Sequence, residues 1–262
     1  MRIKVQFTSI EGKPIVLPLQ YLYSIHQLVY KMFTPDIARK LYLDGFPYKG
    51  RKLKLFNYSR ILEHGKVNKA LNTINFDSTI SFYFSCSLSY LVDDFIKNAF
   101  TTENIVLNGN NLMLSMCEIV EAPLFSDKME ITMLSPMTVY STFQRKDKKV
   151  THYYMPIEST FSEIVEENAK KKYAATMIAL GTPVSEQTLS QMHLELIPKR
   201  YNPKYNKKVL YFKNKVVEGY TGDYTLVGSP ELIAITYDCG LGASTAVGFG
   251  MWSPLLKKEA VS

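Results

Sequence analysis

The order in which two hydrophobic periodicities succeed one another limits the folds open to this chain. Residues 2–8 alternate, with Ile3, Val5 and Phe7 on one face, as a half-buried strand requires. Ser24 and Gln27 form a capping-box pattern, and Ile25, Leu28, Val29, Met32 and Phe33 then recur at helical spacing. Runs at Leu53–Tyr58 and Ile80–Phe84 read as strands. Leu88, Leu91, Val92, Phe95, Ile96 and Ala99 make a second helical stripe, and a turn at Asn108–Asn110 leads into a strand over Leu112–Val120. That order is βαββαβ, the ferredoxin-like plan. It recurs downstream. A strand at Glu130–Leu134 precedes a helix capped by Thr160 and Glu163, and strands follow around Met192–Ile197, Val209–Phe212 and Val216–Tyr220. A second helix starts at Ser229-Pro230-Glu231 and stops at Gly240, and Ala246–Trp252 is the closing strand. The expected fold is α+β, two tandem ferredoxin-like (RRM-like) domains over 1–122 and 128–262. Their boundary lies near Ala122–Asp127, where Pro123 and polar residues interrupt the pattern. A chain of 262 residues with 46% hydrophobic content has the material for two such cores.

The second unit carries a glycine-rich segment over 240–250, with Gly240, Gly242, Gly248 and Gly250. Residues without a Cβ let backbone N–H groups approach a phosphate closely. The segment follows a helix and lacks the GxGxxG spacing of a dinucleotide site, and it has no Gly-Lys-Ser/Thr of a nucleotide-binding P-loop. Two readings remain open: an anion-binding loop, and a tight connection whose glycines satisfy backbone geometry.

Between Lys199 and Lys215 the chain has basic residues and no acidic ones, interleaved with Tyr201, Tyr205, Tyr211 and Phe212. The formal net charge is +7, so the surplus fits within this strip. Basic groups track a nucleic-acid backbone and aromatic rings stack on unpaired bases, so RNA is the expected partner. A solvated basic face and ordinary hairpin packing of the tyrosines are the alternatives. A second cluster, Arg145, Lys146, Lys148 and Lys149, reads as an exposed hairpin tip.

Cys86, Cys117 and Cys239 include no CxxC pair, and no two histidines have metal-ligand spacing, so neither a disulfide framework nor a metal site is expected. The N-terminus lacks an apolar signal core and no apolar run reaches membrane-spanning length. A cytoplasmic protein without cofactor or membrane attachment is the expectation.

The glycine segment, ending Gly248-Phe249-Gly250-Met251, resembles the C-terminal signature of the CRISPR-associated repeat-RNA endoribonucleases of the RAMP superfamily. Further blocks of similarity lie at Leu17–Tyr21, Leu28–Lys31, Lys54–Arg60 and Leu134–Tyr140, in the expected order and spanning the chain. The resemblance implies cleavage of CRISPR repeat RNA to release guide RNAs. No metal takes part: the 2′-OH attacks the adjacent phosphate, leaving 2′,3′-cyclic phosphate and 5′-OH ends. It also implies as partners the repeat RNA, other CRISPR-associated proteins of an effector complex, and a second copy of the chain.

In many relatives a histidine follows the first helix, in a segment like Ile37–Gly45; here that position holds Tyr42. His26 offers a replacement, one helical turn from Tyr30. The resulting assignment makes His26 the general acid or base, Tyr30 its hydrogen-bonding partner and Lys54 the stabiliser of the phosphorane, with Tyr42 donating or positioning. RNA binding falls to Gly240, Gly242, Ser244, Thr245, Gly248 and Gly250, with charge supplied by Lys199, Arg200, Lys204, Lys207 and Lys208. The alternatives are a family member that binds repeat RNA without cutting it, and a structural RNA-binding subunit of an effector complex.

Overall fold

A computed structural model describes residues 1–146, 148–213 and 215–255. The first half contains β1 (Arg2–Ser9), α1 (Leu22–Lys31), α2 (Pro35–Leu43), β2 (Phe56–Tyr58), β3 (Thr79–Cys86), α3 (Ser89–Thr101) and β4 (Asn110–Val120). Its antiparallel sheet runs β2-β3-β1-β4, with a short edge strand at Ile105–Leu107 beyond β4. The second half contains β5 (Lys128–Met133), α4 (Ser159–Ala179), β6 (Leu194–Pro198), β7 (Asp223–Gly228), α5 (Pro230–Cys239) and β8 (Trp252–Pro254). Its sheet runs β6-β7-β5-β8. In both sheets the first strand of the unit lies between its third and fourth, and each unit has helices after its first and third strands. Two ferredoxin-like units in tandem are the result. Residues 121–127, between β4 and β5, have no regular structure.

Register explains why β1 is central. Ile3, Val5 and Phe7 pair with Phe84, Phe82 and Ile80 of β3, and all six are fully buried. The alternation of β1 therefore places one apolar row beneath the helices. Phe84 stacks on Phe95 of α3 at 4.4 Å between ring centroids, and Phe33 crosses both edge-on.

Several local expectations give way to tertiary packing. Tyr21, with no side-chain cap bond, precedes α1, and Ser24 faces the core inside the first turn. Glu158 precedes α4, so Thr160 and Glu163 lie inside the helix. Lys207–Phe212 and Lys215–Tyr220 form a separate hairpin outside the main sheet. The third strand of that unit is β7, where the alternation pattern predicts none: Tyr224, Thr225 and Leu226 are buried in succession, as in a central strand covered on both faces. The closing strand is only Trp252–Pro254. Thr245–Val247 is a 3-10 turn, because Gly248 and Gly250 take φ of +85° and +79°, values no extended strand contains.

The halves are joined by buried polar contacts. Arg2 of β1, 3% exposed, donates to the carbonyls of Trp252 and Tyr237 at 2.8 and 2.6 Å. Burial lowers its pKa to about 10. Ser85 Oγ donates to the Asp238 carbonyl at 2.8 Å, and the thiols of Cys86 and Cys239 both donate to the Leu55 carbonyl. No helix among the described residues is long and apolar enough to cross a membrane.

Phe84→Ala is expected to destabilise the protein by about 3–5 kcal/mol, read from the urea midpoint, since it removes a ring packed between α3 and the sheet.

Candidate functional site

His26 and Tyr30 lie one turn apart on α1. Their rings sit 4.9 Å apart, and Tyr42 of α2 meets Tyr30 edge-on at 6.2 Å. Three of the four residues singled out as catalytic therefore share one place. They line a cleft of about 380 Å³ with Tyr23, Arg39 and Lys213. The last of these comes from the second half, at the tip of the Lys207–Tyr220 hairpin. Phe212 beside it packs edge-on against His26 at 5.3 Å and Tyr23 at 5.7 Å, while the Lys213 ammonium lies 4.8 Å from the Tyr23 ring centre. The cleft of the first half is thus completed by a cation of the second.

The cleft shifts its titrating groups apart. Burial, together with the Lys213 charge, lowers the His26 pKa to about 4, against a partial opposing effect of its bond to the Ala246 carbonyl at 3.2 Å. Burial and the neighbouring Tyr42 raise the Tyr30 phenol to about 12. At neutral pH the imidazole is uncharged and the phenol keeps its proton.

Lys54 lies elsewhere. Its ammonium donates to the carbonyls of Leu41 and Tyr42, and Lys52 donates to that of Leu43 at 3.0 Å. Both lysines satisfy the C-terminal carbonyls of α2, where positive charge is favoured. Lys54 therefore stands behind Tyr42 and fixes the backbone that carries it.

The glycine-rich segment closes on itself and on the first half. The amides of Gly240, Gly248 and Gly250 donate to the carbonyls of Thr236, Thr245 and Pro136, and the buried Lys172 ammonium donates to those of Gly240 and Gly242 at 2.6 and 3.0 Å. A Cβ at Gly240 would stand 2.1 Å from Asn57 Nδ2, and one at Gly250 would stand 2.0 Å from the Leu241 carbonyl oxygen. Gly240, Gly242, Gly248 and Gly250 are all buried. The expectation that their amides face a ligand is corrected for Gly240, Gly248 and Gly250, whose N–H groups are occupied within the fold. Between the glycines the chain forms a crest on which Ala243, Ser244, Ala246 and Val247 are half-buried and Thr245 is buried. Ser244 and Thr245 form, with Arg51, Lys52, Lys54 and Lys171, the wall of a groove of about 240 Å³. It adjoins a second hollow walled by Tyr140–Phe143 and Asn168.

No described residue of the Lys199–Lys215 strip lines that groove, and Lys213 of the strip faces the His26 cleft instead. Lys199 pairs with Glu130, and Lys207 pairs with Glu218 at 2.8 Å. Lys204 lies over the Tyr205 ring at 5.8 Å, while Arg200 and Lys208 are exposed. The cations around the crest come instead from the Arg51–Lys54 segment and α4. Sequence reasoning did not single out Arg51 or Lys171, because neither stands in a motif. Lys213 lies within the basic strip and Arg39 within the Ile37–Gly45 segment, but neither was assigned to the His26 site. No group of three or more His, Cys, Asp or Glu able to hold a metal occurs among the described residues.

A family model described as "CRISPR associated protein Cas6, C-terminal" matches residues 120–254. That is just over half of the chain. The chain belongs to the Cas6 family. Over 255 residues it is 21% identical to CRISPR-associated endoribonuclease Cas6 1 of Methanocaldococcus jannaschii, covering 96% of this chain and 91% of that protein. Two solved structures share the fold. One, described as an RAMP protein binding different RNA substrates, superposes with a TM-score of 0.76 at 17% identity, covering 98% of this chain and 100% of the other. The second, a Cas6-related protein from Pyrococcus furiosus, gives 0.78 at 16% identity, covering 98% and 99%.

The His26 environment makes stability depend on pH. Below pH 6.5 the unfolded chain takes up a proton that the folded chain refuses until about pH 4, so stability falls as pH falls through that window. The loss attributable to His26 is expected to reach on the order of 2 kcal/mol by pH 5. The fall in unfolding free energy between pH 7 and pH 5, from urea titrations, should be smaller for His26→Gln than for the parent by that amount.

Proposed function

We propose that this Cas6-family chain binds CRISPR repeat RNA in the cytoplasm and cuts it without a metal. In this reading the ribose 2′-OH attacks the adjacent phosphate, leaving a 2′,3′-cyclic phosphate and a 5′-OH. One observation carries the reading: an uncharged imidazole, a protonated phenol and two cations converge in a single open cleft next to the glycine-rich crest. His26 accepts the 2′-OH proton, and the P–O5′ bond breaks with the departing 5′-oxygen taking a proton from water. The Tyr30 phenol donates a hydrogen bond to the reacting phosphate, and Tyr42 positions the nucleotide from the rim. Arg39 and Lys213 face the same space and take the phosphorane-stabilising role first given to Lys54. Lys54 acts through the end of α2.

The groove walled by Ser244, Thr245, Arg51, Lys52 and Lys171 carries the RNA backbone towards the cleft, and the exposed Arg200, Lys204 and Lys208 offer further backbone contacts outside that groove. The runner-up is a family member that binds repeat RNA without cutting it. It is favoured by Tyr42 at the position where relatives carry histidine.

The CRISPR repeat from the same genome, incubated with the protein in EDTA, should be cut to 2′,3′-cyclic phosphate ends. A single deoxyribose at the cut site should abolish cutting and leave binding intact. His26→Ala should slow single-turnover cleavage by about 10²–10⁴-fold. The acid limb of the free protein's pH profile should lie near pH 4, not near 6.5. Tight binding of an RNA that stays whole would favour the non-cutting reading.

A further inference from the structure

We infer that the glycine-rich loop positions the reacting imidazole: the Ala246 carbonyl holds His26 as the Nδ1–H tautomer, with the Nε2 lone pair turned to the cleft. The inference rests on the reading of His26 as the proton acceptor. It assigns the loop a role in the first half's chemistry that is separate from contact with RNA.

The bond joins His26 Nδ1 and the Ala246 oxygen at 3.2 Å. A carbonyl only accepts, so the proton must sit on Nδ1. In a neutral imidazole the other nitrogen is then the base. Tyr23, Tyr30 and Phe212 pack around the ring, at centroid distances of 6.2, 4.9 and 5.3 Å, and restrain its rotation. The ionisable groups lining the cleft with His26 are Tyr23 and Tyr30 of α1, Arg39 and Tyr42 of α2, and Lys213 of the hairpin. None is a carboxylate. The orienting acceptor of this histidine is therefore a backbone carbonyl of the second half.

The loop is built to deliver that carbonyl. Ala246 sits in the Thr245–Val247 turn, between Ser244 at φ +56° and Gly248 at φ +85°. The turn is closed by Val247 N donating to the Ser244 carbonyl and Gly248 N to that of Thr245, at 3.1 and 3.0 Å. Gly248 lies so close to the first half that a Cβ would stand 2.7 Å from Tyr58 Cε2 and 2.9 Å from Leu22 Cδ1. Leu22 is one turn before His26 on α1. The close approach that demands glycine at 248 is the approach that brings the Ala246 oxygen to the ring. At the other end of the segment, Lys172 holds the carbonyls of Gly240 and Gly242.

The test begins with the unaltered protein. Nitrogen-15 NMR of its imidazoles at pH 7, with the His26 signals assigned by their loss in His26→Gln, should show a protonated Nδ1 and a bare Nε2. A proton on Nε2, or rapid averaging of the two forms, would overturn the inference. Gly248→Ala then asks whether the loop acts on chemistry. Cleavage at saturating RNA should fall by about 10- to 100-fold, because small misplacements of a catalytic group are costly. The Kd for RNA should stay within about threefold of the parent's, a split that a loop acting through RNA contact alone would not produce. Loss of binding in full proportion to loss of cutting would show that the substitution acts only through the RNA contacts of Ser244 and Thr245, and would sink the inference. Gly109→Ala is the control, at φ +81° in open space, and should leave both values unchanged. If Gly248→Ala does not fold, the tautomer measurement on the parent still decides. A His26→Ala protein that cuts as fast as the parent would remove the proposed function and leave the tautomer result standing, so the two failures are distinguishable.

Discussion

The structure turns on the approach of one backbone segment to the opposite half of the molecule, at distances that leave no room for a Cβ. At Gly240 the segment meets Asn57, and at Gly248 it meets Tyr58 and Leu22. These contacts bind the second unit to β2 and α1 of the first, which carry the site. Any larger residue there would push the units apart and withdraw the Ala246 oxygen from His26. The glycines are needed for closeness, and the positive φ values at Gly240, Gly248 and Gly250 are what the path of the chain requires once it is that close.

Cations in this protein do two kinds of work, which burial separates. Arg2 and Lys172 are almost wholly enclosed and donate to carbonyls of the second half. Burial lowers both pKa values, Lys172 to about 8, and neither faces a carboxylate at salt-bridge distance among the described residues. Their contribution is to satisfy backbone oxygens that would otherwise be unpaired. Arg39, Arg51 and Lys213 are exposed instead, and Lys171, half-buried, pairs with Glu167 at 2.9 Å. A count of net charge does not distinguish the two sets.

How much was legible in the residues depended on whether a signal was local. The βαββαβ order could be seen twice because strand and helix periodicities persist in single segments, as in β1 and α3. The strand β7 could not, because a strand buried on both faces has no alternation, and the neighbouring hairpin alternates more clearly. Caps were placed at Ser24 and Thr160 by pattern, but the core drew Ser24 inward and α4 began earlier. In the site, the His26–Tyr30 pair followed from helical spacing alone. The convergence of Arg39 and Lys213 on that pair did not, since one comes from a different helix and the other from a hairpin in the other half, nearly two hundred residues away. Lys54 carries a family resemblance, yet its ammonium is engaged with the end of α2, a contact visible only when the helix is in place.

The opposed shifts of Tyr30 and His26 have a physiological meaning. With one group titrating near pH 12 and the other near pH 4, neither changes protonation across the range in which cells live. The cleft consequently meets its ligand with the same charge whether the surrounding medium is slightly acidified or slightly alkaline. Metabolic swings in proton concentration therefore have no handle on these two side chains.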